Sequence, residues 1–128
     1  MATPTSRPLA GYRFLIVEDE MLQAVVMQDM LADLGGTVVD VAHSYDRART
    51  LVDHATFDCA LLDINLGGAL SYQIAEILKA RGVPFIVCTA YGDVVSVHPT
   101  VGRALRLTKP IESADLRDAV LELLHPAS

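Results

Sequence analysis

The sequence predicts an α/β fold in which an open, doubly wound parallel sheet is covered by helices on both faces. Two observations support this class. Short apolar runs of roughly four to six residues alternate with longer amphipathic segments, as expected for βα units with parallel strands. The short runs are almost wholly apolar, which is typical of strands that are buried on both faces of a sheet.

The first half of the chain contains three predicted strands and two predicted helices. The strands are expected at 14–17, 37–42 and 58–62, where residues are apolar or β-branched. A helix is predicted over 21–34 because apolar residues recur at near-helical spacing before Gly35 and Gly36 end it. Those residues are Leu22, Val25, Val26, Met30 and Leu34. Ser44 is a suitable cap for the second helix. Its expected core face comprises Ala48, Leu51, Val52 and Ala55.

The second half continues the alternation with one weak segment. A third helix is predicted over 71–81, a fourth strand over 85–88, a fifth over 105–108 and a closing helix from Ser113 to Leu124. Segment 92–103 contains Pro99 as well as Val94, Val95 and Val97, which are poor residues for a helix interior. A fourth helix is therefore expected to be short or mobile.

Composition limits the class of protein. The chain has 128 residues, enough for one domain with a real core. A formal charge of −6, with ten Lys and Arg and no dense basic cluster, argues against binding to nucleic acid or to an anionic membrane. There is neither a long apolar span nor the apolar core of a secretory signal. Cys59 and Cys88 lie in apolar runs and are expected to be buried, reduced thiols, which indicates the cytoplasm.

The domain organisation is expected to be simple. Residues 1–11 are predicted to form a flexible arm, residues 12–125 the domain, and residues 126–128 a tail.

Polar side chains stand where the predicted strands end. Glu18 and Asp19 follow the first strand, Asp63 the third, Thr89 the fourth and Lys109 the fifth. In a doubly wound sheet these ends meet at one edge, where ligands bind. Clustered carboxylates with a backbone carbonyl form a hard-oxygen site for Mg²⁺, and a carboxylate can accept a phosphoryl group as an aspartyl phosphate. A lysine and a threonine hydroxyl suit the phosphoryl oxygens.

Each residue alone has an ordinary structural explanation. The acidic run that includes Glu18 and Asp19 favours a helix N-terminus, Asp63 is a common turn residue, and Lys109 before Pro110 would normally be solvated. Thr89 alone is an ordinary strand residue. The functional interpretation depends on all of them falling at strand ends together.

These residues resemble the receiver domain of bacterial two-component response regulators. The matching segments are 17–19, Asp63 with Asn65, Thr89 with Ala90, and Lys109 with Pro110. The resemblance implies a flavodoxin-like sheet of order 2-1-3-4-5 and phosphorylation of Asp63 by a histidine kinase. It implies that Glu18, Asp19, Asp63 and the Asn65 backbone carbonyl hold Mg²⁺, with Glu18 acting through water. Thr89 and Lys109 would contact the phosphoryl oxygens, and the Lys109–Pro110 peptide would be cis.

One departure from the family pattern concerns its switch. The position that usually carries an aromatic residue is Arg106, and Tyr91 is a candidate to replace it as the reporter of phosphorylation. A tyrosine after Thr89, with Asp63-x-Asn65-Leu66, resembles an atypical single-domain subgroup whose fourth strand reads Phe-Ala-Thr-Gly. That resemblance implies a partner kinase of the HWE or a related class.

Three functions are compared at this point. The leading hypothesis is a phosphorylatable receiver that is not a dedicated turnover enzyme. It would signal by contact of a downstream protein with the region around the fourth helix and fifth strand, or the chain would be a fragment of a larger protein. The second is a receiver-like scaffold that works without phosphorylation. Arg106 supports this hypothesis, and the intact carboxylates, Thr89 and Lys109 argue against it. The third is a Mg²⁺-dependent hydrolase, which is disfavoured because Asn65 stands where such phosphatases carry a second acid.

Overall fold

A five-stranded parallel sheet forms the centre of the protein. The computed structural model describes residues 7–90, 99–102 and 104–125. The strands in chain order are β1 (Arg13–Val17), β2 (Thr37–Ala42), β3 (Cys59–Asp63), β4 (Asn65–Leu66), β5 (Ala69–Leu70), β6 (Phe85–Thr89) and β7 (Leu105–Thr108). The sheet has the order β2-β1-β3-β6-β7, and β4 and β5 form a separate antiparallel hairpin. Without this hairpin the order is the predicted 2-1-3-4-5, so the predicted fold class is confirmed.

Helices cover both faces of the sheet, as predicted. They are α1 (Met21–Asp33), α2 (Tyr45–His54), α3 (Tyr72–Ala80), α4 (Pro99–Gly102) and α5 (Ser113–Leu124). Buried residues of α1 and α5 share one apolar cluster, and buried residues of α2, α3 and α4 share the other. The alternation along β1 explains the two clusters, because Phe14 and Ile16 point to the first and Leu15 and Val17 to the second.

The structure confirms the sequence signals for the start of α2, the end of α1 and the shortness of the fourth helix. The Ser44 hydroxyl accepts a hydrogen bond from the Arg47 backbone N–H at 3.2 Å and so caps α2. Gly35 follows α1 with a positive φ of 99°. The expected short fourth helix is the four-residue α4, which begins at Pro99, a position where proline is well tolerated.

The sequence pattern did not identify the buried face of α1. Ala24, Met27 and Leu31 face the sheet, whereas Leu22 is 82% exposed and Val26 is 50% exposed. The helix carries apolar residues on more than one side, so periodicity alone cannot select the buried stripe. An apolar surface on α1 is therefore left uncovered by the described residues.

The expected flexible arm is wrong for its last residues. Leu9 is fully buried in the cluster under α1 and α5, and its backbone N–H donates to the Leu34 carbonyl at 2.8 Å. Burial of the Leu9 side chain offsets the conformational entropy that is lost when the segment is ordered. Residues 1–6 and the expected tail 126–128 lie outside the described residues.

The two cysteines are buried and unpaired, as expected. Burial raises the pKa of each thiol to about 12, which keeps both protonated. Among the described residues, the helices are all too short or too polar to cross a bilayer.

Candidate functional site

The predicted strand-end residues gather at one edge of the sheet. Asp63 is the last residue of β3, which extends one residue beyond the predicted strand 58–62. A cleft of about 300 Å³ opens above it, with Asp19, Asn65 and Lys109 among its lining residues. The carboxyl ends of parallel strands lie at the same edge of the sheet, and this explains why these side chains lie close together.

Lys109 lies between two buried carboxylates. Its Nζ is 2.7 Å from Oε1 of Glu18 and 3.3 Å from Oδ2 of Asp63. The Glu18 side chain is fully buried, and the Asp63 and Lys109 side chains are 5% and 13% exposed. Buried ions require partners of this kind, because an unpaired charge here would be strongly destabilising.

Asp19 adds a third carboxylate to this group. Glu18, Asp19 and Asp63 each place a carboxylate oxygen so that all three lie within 4.8 Å of one another. One lysine leaves this cluster with excess negative charge. Oxygen donors at this spacing fit a hard divalent cation such as Mg²⁺.

The ionisation of Asp63 reflects this crowding. Burial, a hydrogen bond to Glu18 and the charge of Glu18, in that order of size, bring the pKa of the Asp63 carboxyl from an ordinary 3.8 to about 7. Lys109 and the Asn65 N–H act in the opposite direction. For Lys109, burial would lower the pKa, but the hydrogen bond to Glu18 and the two carboxylate charges outweigh burial and hold it above 10.5. A cation at this site would lower the pKa of Asp63 and leave its carboxylate ionised.

The loop after Asp63 folds back as the β4–β5 hairpin. The Asn65 backbone N–H donates to Oδ1 of Asp63 at 3.2 Å, and the Asn65 side-chain oxygen accepts from the Gly68 N–H at 2.8 Å. Gly67 and Gly68 have φ values of 60° and 96°, which suit a tight two-residue turn. Asn65 therefore supports both the carboxylate and the loop around the cleft.

The remaining predicted residues differ in how close they lie to this cluster. Thr89 ends β6 and is 7% exposed, and its carbonyl accepts the Lys109 backbone N–H at 2.8 Å. Its hydroxyl makes no hydrogen bond to another described residue. Arg106 is exposed in β7, where it pairs with Val87, away from the cleft. Tyr91 lies outside the described residues. The Lys109–Pro110 peptide is cis, as the resemblance implies.

Two contacts at the site were missed from the sequence. The Ser71 hydroxyl donates to the Asp63 main-chain carbonyl at 2.7 Å, and His43 Nδ1 lies 3.1 Å from the Glu18 carbonyl oxygen. His43 follows a predicted strand, so its position at the sheet edge was an available signal. Ser71 precedes a helix and would ordinarily be assigned as its cap.

An apolar groove adjoins the cleft. It has a volume of about 440 Å³ and runs between the exposed side of α1, including Leu22 and Val26, and the segment 109–111. Lys109 borders both the groove and the acidic cleft. A protein seated in the groove would therefore lie next to Asp63.

Comparison with known proteins agrees with this geometry. Residues 14–121 match the family model of the response regulator receiver domain. The positive alginate biosynthesis regulatory protein of Pseudomonas aeruginosa is 33% identical over 116 residues, which are 88% of this chain and 47% of that protein. The regulator of RpoS of Escherichia coli is 29% identical over 95% of this chain and 37% of that protein. The chain thus spans less than half the length of these relatives.

Solved structures show the same likeness. The solution structure of SdrG from Sphingomonas melonis Fr1 has a TM-score of 0.77 and 34% identity, covering 91% of this chain and 98% of that one. The receiver domain of the Erythrobacter litoralis PhyR response regulator has a TM-score of 0.78 and 26% identity, covering 93% and 97%.

Proposed function

The chain belongs to the response regulator receiver domain family, whose members act in two-component signalling, and from this premise we propose that Asp63 accepts a phosphoryl group from a histidine kinase. The observation that carries the proposal is the contact of Lys109 with both Asp63 and the fully buried Glu18. An ionisable cluster of this kind in a cleft is typical of a reactive site.

The proposed reaction is a phosphoryl transfer to a carboxylate. An oxygen of Asp63 attacks phosphorus, the bond between phosphorus and the kinase histidine nitrogen breaks, and its electron pair returns to the imidazole. The product is an acyl phosphate on Asp63. Lys109 and the Thr89 hydroxyl are assigned to the phosphoryl oxygens, and Lys109 is already held beside the acceptor.

Mg²⁺ is the proposed cofactor. The carboxylates of Glu18, Asp19 and Asp63 and the main-chain carbonyl of Asn65 would hold it, Glu18 through water, since their oxygens suit a hard cation. When bound, the ion neutralises charge on the transferring phosphoryl group.

The phosphoryl donor is proposed to be a protein that docks along α1. Lys109 lines both the apolar groove and the acidic cleft, so a kinase helix seated in the groove would present its histidine to Asp63. We take this kinase to be of the HWE or a related class, on the subgroup resemblance described above. The exposed apolar side of α1, with Leu22 82% exposed, supports such a contact.

The output is proposed to be a protein contact made in the cytoplasm. Phosphorylation would change the contacts of Thr89, with Tyr91 and Arg106 as the residues that transmit the change toward a downstream protein. The domain is proposed to act as a phosphoacceptor rather than as a turnover enzyme.

The proposal is tested by uptake of a phosphoryl group from acetyl phosphate. Wild-type protein is expected to take up one phosphoryl group with Mg²⁺ and none with EDTA, whereas Asp63→Asn takes up none. Asp53→Asn is a matched control, because Asp53 is exposed and its ion-pair partner within the described part of the chain is Arg49, at 3.7 Å. Absence of uptake by the wild type, from acetyl phosphate and from kinase, would favour the scaffold that works without phosphorylation. Turnover of many phosphate esters would favour a hydrolase.

A further inference from the structure

We infer that Ser71 is a positioning residue that holds the main chain at Asp63 in the orientation required for phosphoryl transfer. The inference deepens the proposed function and rests on it. Ser71 is the residue that precedes the first turn of α3, and it is fully buried. Its backbone and side chain together tie the end of β3 to the start of α3.

Ser71 contacts two consecutive carbonyls. Its hydroxyl donates to the Asp63 carbonyl at 2.7 Å, and its backbone N–H donates to the Ile64 carbonyl at 2.9 Å. Its own carbonyl accepts the first helical hydrogen bond of α3, from Ala75 at 3.1 Å. The two peptide planes that follow Asp63 are thus hydrogen-bonded to a residue at the start of α3.

The direction of the Ser71 hydroxyl differs from that of an ordinary helix cap. A serine at the N-cap normally accepts a hydrogen bond from a backbone N–H in the first helical turn, as Ser44 does from Arg47 at 3.2 Å. Ser71 makes no such side-chain bond, and its φ and ψ of −93° and 28° are not those of an extended cap. Its hydroxyl is used for the carbonyl of Asp63 instead of for α3.

This arrangement determines the direction of groups that face the cleft. With the Asp63 and Ile64 carbonyls held, the following Asn65 N–H is held in the position from which it donates to Oδ1 of Asp63 at 3.2 Å. The carboxylate is thus oriented by Asn65 on one oxygen and by Lys109 on the other, at 3.3 Å. Loss of the Ser71 hydroxyl would loosen the first of these contacts, and small displacements of a nucleophile slow a reaction that depends on alignment.

The test compares rates of phosphorylation by acetyl phosphate in saturating Mg²⁺. Ser71→Ala is expected to lower the maximal rate by roughly threefold to tenfold, in line with the loss of one buried hydrogen bond. The half-saturating concentration of acetyl phosphate should not change, because Ser71 does not reach the donor. Ser71→Thr keeps a hydroxyl and should restore the rate. Ser44→Ala removes a cap from α2 and should lower stability without changing the rate, which separates positioning from stability.

A second measurement covers the case in which Ser71→Thr does not fold. The ¹³C shift of the Asp63 backbone carbonyl should move upfield in Ser71→Ala, and that of Leu61 in the same strand should not. If the wild type is phosphorylated but Ser71→Ala shows an unchanged Asp63 shift or an unchanged maximal rate, the positioning role of Ser71 is refuted and the proposed function is not. A wild type that takes up no phosphoryl group refutes the proposed function as well, so the two failures are distinguishable.

Discussion

In the absence of metal, the Asp63→Asn variant should become increasingly more stable than the wild type as pH rises. The folded protein raises the pKa of this carboxyl from 3.8 to about 7, so between these values the folded state holds a proton that the unfolded state has released. Stability therefore falls as pH rises through this interval and levels off above it. Asp63→Asn removes this dependence because its side chain does not titrate.

The magnitude follows from the size of the pKa change. A rise from 3.8 to about 7 corresponds to about 4 kcal/mol in total, of which roughly 2 kcal/mol falls between about pH 5 and pH 7. The stability difference, variant minus wild type, should thus grow by about 2–3 kcal/mol from about pH 5 to pH 8.

The assay is urea unfolding followed by far-UV circular dichroism in EDTA buffers across this pH range. Asp53→Asn serves as the control, because Asp53 is an exposed residue of α2 outside the acidic cluster, where an ion pair contributes little to stability. Added Mg²⁺ should stabilise the wild type at about pH 8 more than it stabilises Asp63→Asn. A constant difference between Asp63→Asn and wild type, or one that shrinks as pH rises, would refute the account of charge crowding.

Three further predictions concern other parts of the structure. Lys109→Met should lower the free energy of unfolding at neutral pH by about 3 kcal/mol, because it leaves the fully buried Glu18 without its cation. A loss below about 1 kcal/mol, measured by urea unfolding, would count against this ion pair. Gly68→Ala should cost about 1 kcal/mol in thermal unfolding through its positive φ of 96° alone, since a Cβ there meets no atom within 4 Å, and an unchanged midpoint would argue against this turn. Leu22→Ser should change stability by less than about 0.5 kcal/mol, yet slow phosphotransfer from a kinase more than phosphorylation by acetyl phosphate, and equal effects would remove the groove from kinase docking.

The sheet and the edge that carries the acidic cluster were predictable because each strand is a short apolar run with a polar residue at its end. Apolar runs that end in Asp63 and Lys109 could be placed at one edge from topology alone, and the structure confirms that these two side chains meet. Ionic partners at the site also follow from residue type, since a buried carboxylate needs a cation nearby.

Other features depend on packing that no local pattern records. The apolar residues of α1 point in several directions, and only the sheet beneath decides that Met27 is buried and Leu22 exposed. Leu9 is buried because a turn returns it to the carbonyl of Leu34. The hydroxyl of Ser71 turns away from its own helix toward Asp63, a choice between two hydrogen-bond partners that the sequence leaves open.

The central claim is that the carboxylate of Asp63 receives the phosphoryl group, and chemical trapping tests it most directly. Protein treated with acetyl phosphate and Mg²⁺ is reduced with borohydride, which converts an acyl phosphate on aspartate to homoserine, and the modified residue is located by tandem mass spectrometry. We predict homoserine at Asp63, and none there when Mg²⁺ is withheld. Homoserine at Asp19 or another carboxylate, with Asp63 unmodified, would contradict the claim.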